Sequence, residues 1–265
     1  MDREIVIGNR GNGGLGDLCF FTPSFRNNKG KIILHDDIQS RQVSTILKGV
    51  CDVEFSQLPP ERPEINCNLP IHRSRKIMYS LGINDIYCVP WIRLKPEELD
   101  WADNFIKSYI RPFIIINDNG GSWDSTNYRS KYVRGNPSDT QDVCDKLVKL
   151  GYTPLQVGRQ EKDKFTPLNN AIHIQGLDLR KTGAIFNKVG LFYGTDSGLY
   201  HYMLACGGKC IVSIPEHNIE NWGYDYNDLL YTKECFGNEK VRVKYFKHQN
   251  HRYVVDNLET IIKEL

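Results

Sequence analysis

The sequence predicts an α/β protein built on parallel sheets, and three observations carry that prediction. Short apolar runs of strand length alternate with longer stretches of helical period, the pattern of repeated βαβ units. Two of these runs lead directly into glycine-rich turns, Gly8–Asp17 and Gly194–Gly198, which open helices in turn. The 265 residues are enough for two domains of ordinary size, each with its own core.

Taken in order, Glu4–Ile7 is a short buried strand, followed by the glycine loop and a helix, and Lys31–Leu34 is the next strand, closed by Asp36 and Asp37. Ile71–Leu81 and Lys95–Tyr109 have helical spacing. Arg111-Pro112 ends the second of these, because proline disfavours helix at the residue before it, and the apolar strand Phe113–Ile116 begins at once. The domain boundary is placed there, giving domains 1–110 and 111–265. Asn117–Ser122 is rich in Gly and Asn, and the polar stretch that continues to Asp139 has the character of a functional loop leaving a strand end. Helix Thr140–Leu150, strand Thr153–Val157, strand Gly190–Tyr193, a helix bearing Tyr200, His201 and Ala205, and strand Cys210–Ile214 follow. Val254, Val255, Leu258, Ile261, Ile262 and Leu265 share one face of a packed terminal helix.

Composition narrows the function classes. With 25% charged and 40% hydrophobic residues, disorder and fibrous repeats are excluded. Lys plus Arg number 34 against 32 Asp plus Glu, and a net charge of +2 announces no polyanionic partner. No apolar run approaches the ~18–20 residues of a membrane span, and Met1-Asp2-Arg3-Glu4 is too charged to begin a signal peptide, so a cytoplasmic protein is expected. The eight cysteines are dispersed without a C-x-x-C pair, which suits reduced thiols better than disulfides or zinc.

The amino-terminal glycine loop admits more than one reading. Gly11, Gly13 and Gly16 satisfy G-x-G-x-x-G, with Asp36 and Asp37 about 20 residues on, as in a dinucleotide-binding fingerprint; this is the reading of an NAD-type oxidoreductase. Against it, Asp17 directly follows the last glycine. A carboxylate at a helix start is held as an anion by the dipole, which disfavours a pyrophosphate there and suits a base that takes a proton from a hydroxyl. In the plainest reading Asp17 caps the helix and the glycines only make the turn.

In the second half, Gly194-Thr195-Asp196-Ser197-Gly198 turns from a strand into a helix and sets Asp196 and Ser197 at its cap. The free N–H groups of Ser197–Leu199 then face the crevice at the strand ends, where a diphosphate fits. His201, four residues after Ser197, lies on the same helical face one turn deeper.

Gly13-Gly14-Leu15-Gly16-Asp17 with Thr22-Pro23, the stretch His72–Ile83, and Tyr193-Gly194-Thr195-Asp196-Ser197-Gly198-Leu199-Tyr200-His201 occur in the order and context found in the heptosyltransferases of glycosyltransferase family nine, and the chain resembles that family. The third motif is the most specific; glycogen and starch synthases carry a G-G-L-G-D like the first. The resemblance implies a GT-B architecture, two Rossmann-like domains with a central cleft, the amino-terminal one for the acceptor and the carboxyl-terminal one for the nucleotide-sugar donor. It implies inverting transfer of a sugar, ADP-heptose being the family's donor, to a glycan or other hydroxyl acceptor, with no metal or other cofactor. Asp17 matches the family's proposed base, with Gly13, Gly14 and Gly16 forming the acceptor-side loop. Asp196, Ser197, Gly198 and His201 match its donor-diphosphate loop; Arg129 or Lys131 falls near its phosphate-binding cation and Glu161 near its ribose-binding acid. No D-x-D triplet is present to bind a metal. The first domain, about 110 residues against a common ~150, is short for the family's acceptor-binding elaborations.

Other features have their own readings. A degenerate transferase fold would bind sugar nucleotide or glycan without catalysis. Lys240–Tyr253 interleaves basic residues with Tyr245, Phe246 and Tyr253, a pattern for a nucleic-acid or anionic-glycan acceptor or, more plainly, an amphipathic strand with a solvated basic face. His35-Asp36-Asp37 caps a turn or meets a ligand hydroxyl, and is assigned no metal. Trp123, Tyr128, Trp222, Tyr224 and Tyr226 are loop aromatics suited to stacking on sugar or base.

Overall fold

The computed structural model describes residues 4–9, 14–58, 73–85, 87–109, 112–117, 137–158, 167–214, 231, 233–237 and 239–265. The chain divides into two compact units, Met1–Leu94 with Ile219–Val241 and Lys95–Asn218 with Arg242–Leu265.

The first unit carries a parallel sheet of strands β1 (Ile5–Asn9), β2 (Gly30–His35) and β3 (Asp52–Ser56) in that spatial order. Ile7, Ile32 and Val53 lie in register across it, and Ile5, Ile7, Ile32 and Leu34 are buried. Gly30 is required where β1 and β2 meet, since a Cβ there would stand 2.0 Å from the Ile5 carbonyl oxygen. Helix α1 (Leu15–Phe21) links β1 to β2, and α2 (Ile38–Val43) begins at Asp37, whose carboxylate accepts from Ser40 N at 2.7 Å. Helix α3 (Arg73–Ser80) packs on α1 and on the 3-10 turn Thr22–Phe25.

The second unit begins with α4 (Pro96–Ile106), followed by β4 (Phe113–Asn117), α5 (Pro137–Lys149), β5 (Thr153–Gly158), β6 (Ile172–Gln175), α6 (Leu179–Val189), β7 (Leu191–Thr195), α7 (Gly198–Ala205), β8 (Lys209–Ile214), β9 (Val243–Lys247) and α8 (His251–Glu264). Its six parallel strands have the order β6-β5-β4-β7-β8-β9. The chain winds outward from β4 in one direction and from β7 in the other, so the topological switch point lies between these two strands. On one face Ile114, Ile116, Tyr193 and Ile211 pack with Val143 and Leu147 of α5 and with Val254, Leu258 and Ile261 of α8. On the other, Phe192 meets Phe186 of α6, which in turn meets Tyr202 of α7. Helix α6 is bounded by two clear signals, Asp178 accepting from Lys181 N at 2.8 Å and Gly190 at φ 73°.

The α/β class, the parallel sheets and the strand-to-glycine-turn-to-helix unit of β7 and α7 are as the sequence predicts. The division of the chain differs from a cut at residue 110. Helix α4 packs on α6, with Glu98 held by Arg180 at 2.5–2.9 Å and Asp103 paired with Lys188, so it belongs to the second unit. Ile219–Val241 returns to the first unit, where Cys88 N donates to Cys235 O at 3.0 Å and the Tyr87 hydroxyl meets Glu239 at 3.3 Å. The proline at 112 marks where a helix must stop; it carries no information on which neighbours that helix packs against. Among the described residues no helix is long and apolar enough to cross a membrane.

Candidate functional site

The carboxyl ends of β4 and β7 meet at the switch point, with Asn117 and Gly194 in register. A Cβ on Gly194 would stand 2.5 Å from the Asn117 carbonyl oxygen and 2.6 Å from the Phe192 ring, so only glycine lets the two strand ends approach. Asn117 is 2% exposed and its Nδ2 donates to Val157 O at 2.8 Å, tying β4 to β5 and fixing the amide. Its Oδ1 is buried without a hydrogen-bond partner among the described residues, as are Thr195 Oγ1 and Ser197 Oγ. Folded proteins pair nearly all buried polar atoms, so three unpaired oxygens at the ends of adjacent strands mark a place where a polar ligand or water completes the set.

Ser197 is the N-cap of α7, extended at φ −158° and ψ 164°, and its side chain makes no capping bond. The hydroxyl is thus left without a capping bond, at the start of a helix whose first-turn N–H groups have no acceptor within the helix. Asp196 sits in the same turn, its N donating to Ser213 O at 3.2 Å. Its side chain is half-buried by exposure, yet desolvation among the strand ends pushes its carboxyl up to about 6. His201 is where its spacing put it, one turn into α7, but at 4% exposure it is part of the packed helix, its ring tilted 37° against Tyr200 with centroids 3.8 Å apart.

In the first unit, Asp17 stands in the first turn of α1, after the N-cap Gly14. Its side chain is 34% exposed; Oδ1 lies 3.4 Å from Arg73 Nη1, and Oδ2 turns back to 3.6 Å from the place a Gly14 Cβ would occupy. Arg73 opens α3, is 15% exposed and also stands over the Phe20 ring at 5.6 Å, so its guanidinium is held on α1 from two sides. The apolar face of α1, Leu18 to Phe21, is buried, which fixes the helix that carries Asp17. Thr22 of the Thr22-Pro23 pair is structural: its hydroxyl donates to Cys19 O at 2.9 Å and accepts from Trp91 N at 3.0 Å, while Trp91 Nε1 donates to Thr22 O at 2.6 Å.

Several other candidates are engaged elsewhere. Asp36 accepts from Arg41 at 2.6 and 3.0 Å and from Gln57 at 2.9 Å, and the Arg41 bond holds its carboxyl below the usual range. With Asp37 capping α2, neither acid of the dinucleotide fingerprint is open to a ribose, and the turn-capping reading of His35-Asp36-Asp37 describes them. Two of the three aromatics of the basic stretch are packed, Tyr245 edge-on to Tyr200 at 6.3 Å and Phe246 on the core beneath α5 and α8, while Tyr253 is 57% exposed on α8; Lys244 pairs with Glu264. β9 is thus an amphipathic edge strand with its two aromatics packed. Gly13, Arg129, Lys131, Glu161 and the aromatics Trp123, Tyr128, Trp222, Tyr224 and Tyr226 lie outside the described residues. Among the described residues no three His, Cys, Asp or Glu side chains form a group able to hold a metal ion.

The sequence reading missed three contributors. Asn117 had a signal, a polar residue ending the run Phe-Ile-Ile-Ile, and Thr195 sits inside the motif already singled out. Arg73 had none beyond its place in the His72–Ile83 stretch, because its meeting with Asp17 is set by how α3 docks on α1.

No protein-family model and no curated protein sequence matches the chain. Solved structures do. The family 9 glycosyl transferase of Veillonella parvula aligns over 98% of this chain and 90% of its own with a TM-score of 0.61 at 12% identity. The chain has the fold of these transferases. ADP-heptose LPS heptosyltransferase II of Escherichia coli aligns over 98% of both chains, with a TM-score of 0.60 at 10% identity. TibC of enterotoxigenic E. coli, a dodecameric iron-containing heptosyltransferase solved with ADP-D-β-D-heptose, aligns over 89% of this chain and 64% of its own, with a TM-score of 0.56 at 18% identity. The chain thus shares its fold with these structures, in keeping with the expected fold class, and at such identities the fold is what the likeness shows.

Proposed function

We propose that the chain is an inverting, metal-independent glycosyltransferase that moves a sugar from a nucleoside-diphosphate sugar to a hydroxyl acceptor. The observation that carries this is the pair of buried, unpaired hydroxyls of Thr195 and Ser197 at the switch point, at the start of α7, with the unpaired Asn117 Oδ1 beside them placed to accept from a donor hydroxyl. A pyrophosphate is the ligand whose charge and acceptor-rich oxygens suit a helix N-terminus and a free hydroxyl there.

In the reaction, the acceptor hydroxyl gives its proton to Asp17 as its oxygen bonds to the anomeric carbon, and the bond from that carbon to the diphosphate oxygen breaks on the opposite side. The departing nucleoside diphosphate carries the electron pair of that bond away. Ser197 and the α7 N–H groups stabilise its charge, with Arg129 or Lys131 supplying a cation and Glu161 holding the ribose. Asp17 suits a base by position and partner: partly exposed, it keeps an oxygen open to an acceptor while Arg73 fixes its orientation. One structural neighbour is an ADP-heptose LPS heptosyltransferase and another was solved with ADP-D-β-D-heptose, which makes an ADP-linked sugar the first donor to try.

A thermal-shift series with ADP-, UDP-, GDP- and CMP-linked sugars, and with NAD, tests the reading. One nucleotide-sugar class is expected to raise the melting midpoint by several degrees at ~100 times its Kd, and NAD to leave it unmoved. A shift with NAD alone would overturn the proposal, and a donor that binds without transfer or hydrolysis would reduce the chain to a binding protein.

Leaving-group stabilisation by N–H dipoles and cations replaces the divalent ion of other transferases. EDTA is accordingly expected to leave turnover unchanged, and a strict Mn²⁺ requirement would count against this chemistry.

Asp196 gives the donor site a pH dependence. Its carboxyl is raised to about 6 in the fold, so the stability tied to its protonated form is full below the ordinary carboxylate range and is lost as the pH rises through about 6. A diphosphate beside it disfavours the carboxylate further, so donor binding takes up a proton. Affinity for a nucleotide sugar is expected to strengthen several-fold from pH 8 to pH 6, and Asp196→Asn to flatten that profile; a flat wild-type profile would remove Asp196 from the donor site.

A further inference from the structure

Ser213 joins the Asp196–Ser197 turn to a histidine that the proposed chemistry leaves unused. It stands at the carboxyl end of β8, in register with Thr195 on β7. Its carbonyl oxygen accepts from Asp196 N at 3.2 Å, the last bond between these two strands before the chain enters α7. Its hydroxyl lies 2.6 Å from Nδ1 of His248. One residue therefore holds the turn by its main chain and an imidazole by its side chain. Because β8 ends at Ile214, one residue on, this is a strand end, where ladder bonds open most readily and a side-chain tether adds most.

The far end of the tether is well anchored. His248 begins the 3-10 turn His248–Asn250, which joins β9 to α8. His251 opens α8, and its Nε2 meets Asp142 of α5 at 3.2 Å. The two imidazoles thus fasten the start of α8 to the sheet on one side and to α5 on the other. Val254, Leu258 and Ile261 pack the rest of α8 into the core, so the turn at its head does not move freely. Thr195, Ser213, His248 and His251 line one small polar hollow at these strand ends, with Thr140 of α5.

We propose that His248 is a positioning residue of the donor site: through Ser213 it fixes the Asp196–Ser197 turn, and with it the Ser197 hydroxyl and the first-turn N–H groups of α7 assigned to the nucleoside diphosphate. The ligand in this statement rests on the transferase reading; the fixing of the turn stands without it. The effect falls on binding. A loosened turn must be ordered anew each time a donor arrives, which lowers affinity, whereas proton removal from the acceptor belongs to Asp17 in the other unit.

The test is a double-mutant cycle on the full chain with two readouts. The first is the Kd for the nucleotide sugar that stabilises the wild type, with kcat measured alongside. His248→Ala and Ser213→Ala are each expected to weaken donor binding by about five- to tenfold with kcat within about twofold, and together to weaken it no further, since both remove one bond. His248→Asn, whose amide stands where Nδ1 stood, is expected to restore affinity; His248→Gln, whose amide reaches toward the place of Nε2, is not. The second readout needs no nucleotide. Amide hydrogen exchange at Asp196 is expected to quicken several-fold in both alanine variants and to return to the wild-type rate in His248→Asn. Additive losses in the cycle, or an Asp196 amide that exchanges at the wild-type rate in both alanine variants, would overturn the proposal. Should His248→Ala fail to fold, Ser213→Ala with His248→Gln and His248→Asn decides. If no nucleotide sugar binds the wild type, the transferase reading fails, and the exchange rates alone decide whether His248 holds the turn.

Discussion

Asp17→Asn is expected to lower kcat by about 10²–10⁴-fold, the contribution of a positioned general base, while leaving donor affinity where it was. The substitution is nearly isosteric and leaves the buried face of α1, Leu18 to Phe21, untouched. Arg73 keeps its place over Phe20, so the helix pair should dock as before. What is lost is an atom able to accept a proton. Donor binding is assigned to the other compact unit, which is why KM for the nucleotide sugar should move little beside kcat. Steady-state kinetics with donor and acceptor varied in turn checks this, and undiminished turnover would return Asp17 to a purely structural part.

Gly194→Ala is expected to damage the fold and the donor site together. The added Cβ would fall 2.5 Å from the Asn117 carbonyl oxygen, a backbone atom that a rotamer change cannot move aside. Overpacking of this kind typically costs ~1–3 kcal/mol, and the strain must be relieved by parting β4 from β7. That shift carries Thr195 and Ser197 with it, so donor affinity should fall by about tenfold or more, since even small misplacement of donors around a charged group is costly. Urea unfolding and a donor titration on the same sample read the two effects. A stable variant with unchanged donor affinity would show that the switch point tolerates a wider gap and does not hold the donor.

Much of this architecture was written in the periodicity. Phe113–Ile116, Thr153–Val157 and Cys210–Ile214 were legible as strands because strands covered by helices on both faces are near-continuous apolar runs. Strand β3, Asp52–Ser56, was not, since its alternation of Asp, Val, Glu, Phe and Ser leaves only two apolar residues on the covered face. Helix α6 escaped although Asp178 and Gly190 bracket it with sound capping chemistry. At the site, glycines, caps and the order of motifs were visible because each is a local requirement of backbone geometry. The Arg73–Asp17 pair and the unpaired oxygens of Asn117 and Thr195 were not, because they arise where segments far apart in sequence meet.

The first unit is assembled from two stretches of chain that do not adjoin, and this sets an order on its synthesis. When the ribosome has made Met1–Leu94, the nascent chain still lacks the Ile219–Val241 segment whose Cys235 and Phe236 are buried in the finished unit. Completion must wait until Lys95–Asn218 has been translated, at ~5–20 residues per second. The second unit faces the same delay, since the sheet face that α5 covers in part is completed only when α8 emerges. Each unit therefore shows apolar surface to chaperones until its late-coming segment has emerged.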